Sequence, residues 1–152
     1  VSETSDILKG AAALIAAAGI GTYNETGAYT AGQTGIYQMV VPDAPDRIIT
    51  LTWTNQGDNI TDPSGQGMLQ VRGRGLPGQP MDVGDLLDSI RDILHGRTNL
   101  VFGTTTIVQI NRRIVAPLGQ DDSKRWSRAD QYYADIAVAP TAVRPAYGNW
   151  SS

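Results

Sequence analysis

The residues that invite a chemical reading are few and scattered. Gly73-Arg74-Gly75-Leu76-Pro77-Gly78 has the spacing G-x-G-x-x-G, which in dinucleotide-binding folds lets backbone approach a pyrophosphate at a helix N-terminus. That chemistry needs a buried parallel strand before the glycines and a helix opening directly from them. Here Gln70, Arg72 and Arg74 alternate with Leu69 and Val71, and Pro77 lies inside the motif, so nucleotide binding is not expected. His95 is the single histidine and falls at a helix C-terminus, where it would meet the dipole or the last carbonyls. No G-x-S-x-G elbow accompanies it. Asp82, Asp85, Asp88 and Asp92 resemble a carboxylate cluster, but helical spacing makes Asp82 a cap and spreads the others along a wet face. Without histidine partners or a calcium-loop spacing they do not form a metal site. The chain has no cysteine, which removes disulfides, thiolate ligands and cysteine nucleophiles and suits a cytoplasmic origin. Arg72, Arg74, Arg112 and Arg113 could line up as a phosphate-binding stripe. However, 15 acidic residues against 12 basic ones, with core packing the cheaper role for Trp53, Tyr132 and Tyr133, point away from nucleic acid. Neither catalysis nor a cofactor or metal is expected.

The elements that would position these residues follow from periodicity. Ile7, Leu8, Ala11, Leu14, Ile15 and Ala18 recur at helical spacing, with Thr4 or Ser5 as N-cap and Gly19 as the left-handed stop. The opposite face of that helix, Gly10, Ala12, Ala13, Ala16 and Ala17, is small enough to pack on another subunit. The apolar run Gly10 to Ile20 is too short to span a bilayer, and Glu3, Asp6 and Lys9 are not the basic leader of a signal peptide. Residues 22–35 read as loop and Ile36 to Val41 as a strand stopped by Pro42. Arg47 to Thr54 and Met68 to Arg74 alternate as half-buried strands around a long polar loop, Asn55 to Gly67. A second helix starts at Asp82, with Val83, Leu86, Leu87, Ile90, Ile93 and Leu94 as its apolar stripe. Thr104 to Ala116 is a strand, Leu118 to Ser127 a charged loop, Asp130 to Ala139 a last strand, and Pro140 to Ser152 an extended arm.

This order predicts one α+β domain over residues 1–139, with an arm over 140–152. The sheet is expected to be mostly antiparallel, four- to five-stranded, with both helices on one face. The other face would carry Gln70, Arg72 and Arg74 and meet water or a partner.

Four segments carry a family likeness: PDAPDRIITLTWT (residues 42–54), MLQVRGRG (68–75), DVGDLLDSIRDILHG (82–96) and TTTIVQINRRIVAPLGQDDSKRW (104–126). In order and character, across most of residues 4–139, they resemble the tail terminator proteins of long-tailed bacteriophages. The resemblance implies a non-enzymatic α+β subunit that forms a ring, typically a hexamer, on the head-proximal end of the tail tube. Such a ring stops tube polymerisation and docks the head's stopper or connector protein. It implies a virion component at the tail–head junction, made in the host cytoplasm. The expected partners are other copies of the chain, the tail tube protein and the stopper, with DNA only as passing cargo and no membrane. Residues placed to make such contacts are Asp58, Asn59, Ile60 and Asp62 in the long loop and Arg72, Arg74 and Arg113 on the sheet. Asp121, Asp122 and Arg125 would add a charged loop, and Tyr147 and Trp150 would anchor the arm. A stopper or adaptor of the same neck, a small enzyme and a nucleic-acid-binding module are the alternative readings. They would be separated by position in the neck, by a tight pocket with converging polar groups, and by salt-dependent DNA affinity.

Overall fold

The computed structural model describes residues 2–143. In chain order the elements are α1 (Glu3–Ala17), β1 (Thr22–Tyr23), β2 (Gly35–Gln38), β3 (Ile48–Asp58) and β4 (Ser64–Arg74). They continue with α2 (Asp82–Leu94), β5 (Thr98–Phe102), β6 (Thr105–Gln120) and β7 (Trp126–Ala137). All strands join one sheet in the order β1-β2-β3-β4-β7-β6-β5. The expected sheet of four or five mostly antiparallel strands is therefore corrected: among the described residues there are seven, and the sheet is mixed. From β3 to β5 every pairing is antiparallel, whereas β1, β2 and β3 run parallel.

The correction has two physical causes. Strand β1 is two residues in a glycine-rich segment, and β5 reads Thr-Asn-Leu-Val-Phe, too short and irregular for a period-2 signal. A parallel β2–β3 pair also needs a crossover, usually a helix, and residues 39–47 are too few for one. Instead this connection crosses the sheet face turned away from the helices. Thr50, which points opposite to Ile49 and Leu51, donates its hydroxyl to the Val40 carbonyl at 2.7 Å. Arg74 donates to the carbonyls of Asp43, Pro45 and Asp46 at 3.0, 2.8 and 2.8 Å.

Both helices cover the opposite face and share one core. Ile7, Ala11 and Ile15 of α1 and Leu86, Leu87 and Ile90 of α2 meet Ile49, Leu51, Trp53, Leu69, Val71 and Tyr132. Each large apolar side chain so buried contributes about 1.5–3 kcal/mol. Gly73 lies under Leu87 of α2, where a β-carbon would collide with the leucine side chain. That close approach explains the glycine, and the antiparallel neighbours of β4 remove any dinucleotide geometry from Gly73-x-Gly75.

Several local expectations shift. Ser2, rather than Thr4 or Ser5, caps α1, accepting the Ser5 amide at 3.2 Å in a reciprocal capping box. Gly19 takes the left-handed φ of 76° that was expected. The small-residue face of α1 is partly internal: Ala12 is fully buried and Gly10 makes room for the Phe102 ring. Asp82 is not a cap; its carboxylate pairs with Arg47 at 3.0 Å and accepts the Leu76 amide at 2.9 Å, clamping the β4–α2 turn. The expected strand ending at Ala116 continues through Pro117 to Gln120. Proline is tolerated there because, among the described residues, that stretch is paired on one side only.

Candidate assembly interface

The β3–β4 hairpin is the first surface. Most of the expected loop Asn55–Gly67 is strand: Asn55 faces Gly67, Gly57 faces Gln66 and Asp58 faces Gly65, with a bulge between Asn55 and Gly57. Only residues 59–63 form the turn. Asn55, Gly57 and Asp58, which read as turn formers, sit on an exposed ladder beyond the core, where a strand needs no apolar side chain, and Gly67 is buried under the Trp53 ring. The base is pinned by Glu3, whose carboxylate accepts from Trp53 Nε1 at 2.8 Å and Asn55 Nδ2 at 2.9 Å. The tip is shaped by its own side chains. Asn59 Oδ1 accepts the Thr61 amide and hydroxyl at 2.9 and 2.7 Å, and Asp62 Oδ1 accepts the Ser64 amide at 2.9 Å and its hydroxyl. Asp58, Asn59, Ile60 and Asp62 thus come together at one projecting end, with Ile60 87% exposed.

The second surface is the uncovered part of the sheet face opposite the helices. Arg113 lies over the Tyr133 ring at 5.3 Å, beside a polar groove of about 260 Å³ that includes Gln66, Gln109, Asn111 and Asp135. Arg72 is half-buried on the same face. Arg74 and Arg125 differ from them, being only 5% and 4% exposed and engaged within the subunit. Arg125 binds Asp43 at 2.9 Å, Asp46 at 3.2 Å and Asp121 at 2.9 Å, and so ties the β2–β3 connection to the β6–β7 turn. Burial, with repulsion from Arg125, pushes the Arg74 guanidinium below its usual pKa. Burial works against Arg125 too, but the Asp43 and Asp121 carboxylates outweigh it and hold its pKa above the usual value. The Arg125 amide, reinforced by its guanidinium, keeps the Asp121 carboxyl below the ordinary range. Asp122 is exposed at the turn. Tyr147 and Trp150 lie outside the described residues.

A further ionic group, Asp88–Arg112–Arg128–Asp130, joins α2 to β6 and β7. Asp88 is therefore not simply a wet-face residue. Hydrogen bonds from Arg112 and then Arg128 hold its carboxyl below the usual range. His95 Nδ1 accepts the Arg112 amide at 2.9 Å, a strand contact rather than the expected helix-terminal one. Among the described residues no three His, Asp or Glu side chains are grouped to hold a metal ion, and no helix is long and apolar enough to cross a membrane. Sequence patterning missed the exposed apolar residues of outer β6, Ile114, Val115 and Leu118. Pro117 inside a long strand was the available signal, because a strand tolerates proline chiefly at an edge.

Residues 14–138, from the last turn of α1 to just past β7, match the family described as bacteriophage tail terminator protein. The chain belongs to that family. It is thus a structural, tail-associated phage protein of the family, and the resemblance of the four segments is correct at that level. No curated protein matches the chain. Among solved structures, one chain of the particle described as "Virion of native gene transfer agent (GTA) particle" has a similar fold. Its TM-score is 0.57 at 11% identity, covering 67% of this chain and 78% of that one. At that identity the likeness speaks for the fold alone.

Proposed function

We propose that the protein caps the head-proximal end of a phage tail tube as a ring of identical subunits, a hexamer in the simplest form. The ring ends tube polymerisation and presents the docking surface for the stopper or connector protein at the tail–head junction. The observation that carries this reading is the family match over residues 14–138, which takes in every strand and all of α2. Three features of the subunit support it. The β3–β4 tip projects beyond the core with its polar groups ordered by Asn59 and Asp62, so contact with a neighbouring tail protein carries little ordering cost. The face carrying Arg72, Arg113 and Tyr133 is left bare by both helices. Net charge is −3, which suits a lumen through which DNA passes without adhering.

The test uses purified tail tubes of the same phage. Added protein should bind one end of each tube and halt further addition of tube subunits, both visible by electron microscopy. Binding along the tube sides, or continued elongation with the end occupied, would contradict the reading.

A further inference from the structure

The two ends of the sheet are unlike, and among the described residues each is only partly covered. At one end β5 covers β6 only as far as Gln109, so among the described residues β6 from Ile114 to Gln120 is paired by β7 alone. This free edge carries apolar side chains on both faces: Ile114, Val115 and Leu118 are 44%, 41% and 48% exposed. Long apolar edges are normally covered or charged, because they template pairing with another chain. At the other end β1 reaches only Gly35 and Ile36 of β2. Beyond them Met39, Val40 and Val41 are 68%, 55% and 44% exposed. A groove of about 190 Å³ lined by Tyr23, Glu25, Ile36, Tyr37, Gln38 and Val40 runs beside them.

We infer that successive copies of this chain join head to tail, with the free β6 edge of one against the Met39–Val41 end of the next. The inference rests on the ring reading above and names its contact. Charge favours this pairing over the two-fold alternative. Arg113 adjoins Ile114 at the β6 end, Glu25 lines the groove at the other, and neither has an ion-pair partner among the described residues. Head-to-tail contact brings that cation towards that anion. Two β6 edges meeting about a two-fold axis would leave both Met39–Val41 and Glu25 in water. Unlike surfaces joined in this way form a ring when the rotation closes, whereas a two-fold contact stops at a dimer.

The absence of cysteine makes disulfide trapping clean. The full chain is made as Val40→Cys, as Val115→Cys and as the double variant, and each is checked for an unchanged melting temperature. The proteins are oxidised with diamide, free and bound to tails, and read on a non-reducing gel. Mixing the two single variants should shift monomer to a dimer containing one of each, while either alone stays monomeric. The double variant should give a ladder that stops at the closed ring. Homodimers of Val115→Cys forming as readily as the mixed dimer would overturn the inference in favour of a two-fold contact. Failure of the mixed pair to cross-link while both variants still end tails would overturn it outright. Mixed dimers together with a ladder that never closes would leave the head-to-tail contact standing and remove the ring.

Discussion

Replacing Asp130 with Asn should destabilise the fold by about 3 kcal/mol, the lower end of the ~3–5 kcal/mol for breaking a buried ion pair by removing one partner. The carboxylate is fully buried. It accepts from Arg128 Nε and Nη2, both at 2.8 Å, and from Arg112 Nη1 at 3.1 Å. Without it two guanidinium groups, 16% and 13% exposed, retain only Asp88 as a counter-ion among the described residues. Asp88 is 45% exposed and still reaches both at 2.9 Å, which is why the lower end of the range applies. For a chain of this size ~1 kcal/mol moves the melting temperature by roughly 2–4 °C, so a drop of about 6–12 °C is expected. Thermal and urea denaturation followed by circular dichroism measure it, with Asp92→Asn as the control. Asp92 pairs with Arg91 at the surface and should move the midpoint by less than about 2 °C. Combining Asp130→Leu with Arg112→Met and Arg128→Met should recover most of the loss, since an apolar replacement removes the stranded charges together. An Asp130→Asn midpoint no lower than that of the control would refute the assignment of this network as a joint between α2 and the sheet.

Acid should weaken the fold in a defined window. The folded pKa of Asp88 is depressed, so its contribution is present above the unfolded carboxylate value of about 3.9 and is lost as pH falls through the folded value. Asp88→Asn should therefore lower stability at neutral pH, and its gap from the parent should close below about pH 4 in denaturant titrations. Gly67→Ala drives a methyl into the Trp53 ring and the Thr54 carbonyl, an overpacking cost of about 1–3 kcal/mol, read as a lower midpoint in urea. Replacing residues 59–64 by an Asn-Gly turn, which keeps Asp58 opposite Gly65, should leave the melting temperature within about 2 °C, because that tip lies outside the core. The same variant should give overlong tails or tails that fail to join heads, scored by electron microscopy.

Both helices were legible because their apolar stripes are regular, and the central pair was legible through Ile49, Leu51 and Trp53 opposite Leu69 and Val71. What stayed hidden depends on distant parts of the chain. The length of β3 and β4 beyond Asn55 follows from cross-strand partners and from Glu3, none of which local composition encodes. Strand β5 includes Asn99 at a φ of 53°, a break that erases its pattern. The interior roles of Arg74 and Arg125 require the β2–β3 connection to lie across the sheet, and only the folded topology places Asp43 and Asp46 beside them. Of the expected contact residues, those at the β3–β4 tip and on the bare sheet face are exposed or half-buried as a surface needs, while those two arginines are enclosed.

Tail length in phage lacking this gene is the most direct measurement of the proposed role. Lysates of the deletion, alone and complemented with the wild-type chain, are imaged and tail lengths compared with those of the parent phage. Loss of the protein should give tails of unregulated length, detached from heads, and complementation should restore a single length and infectivity. Tails of parental length, normally joined to heads in the absence of the protein, would contradict it.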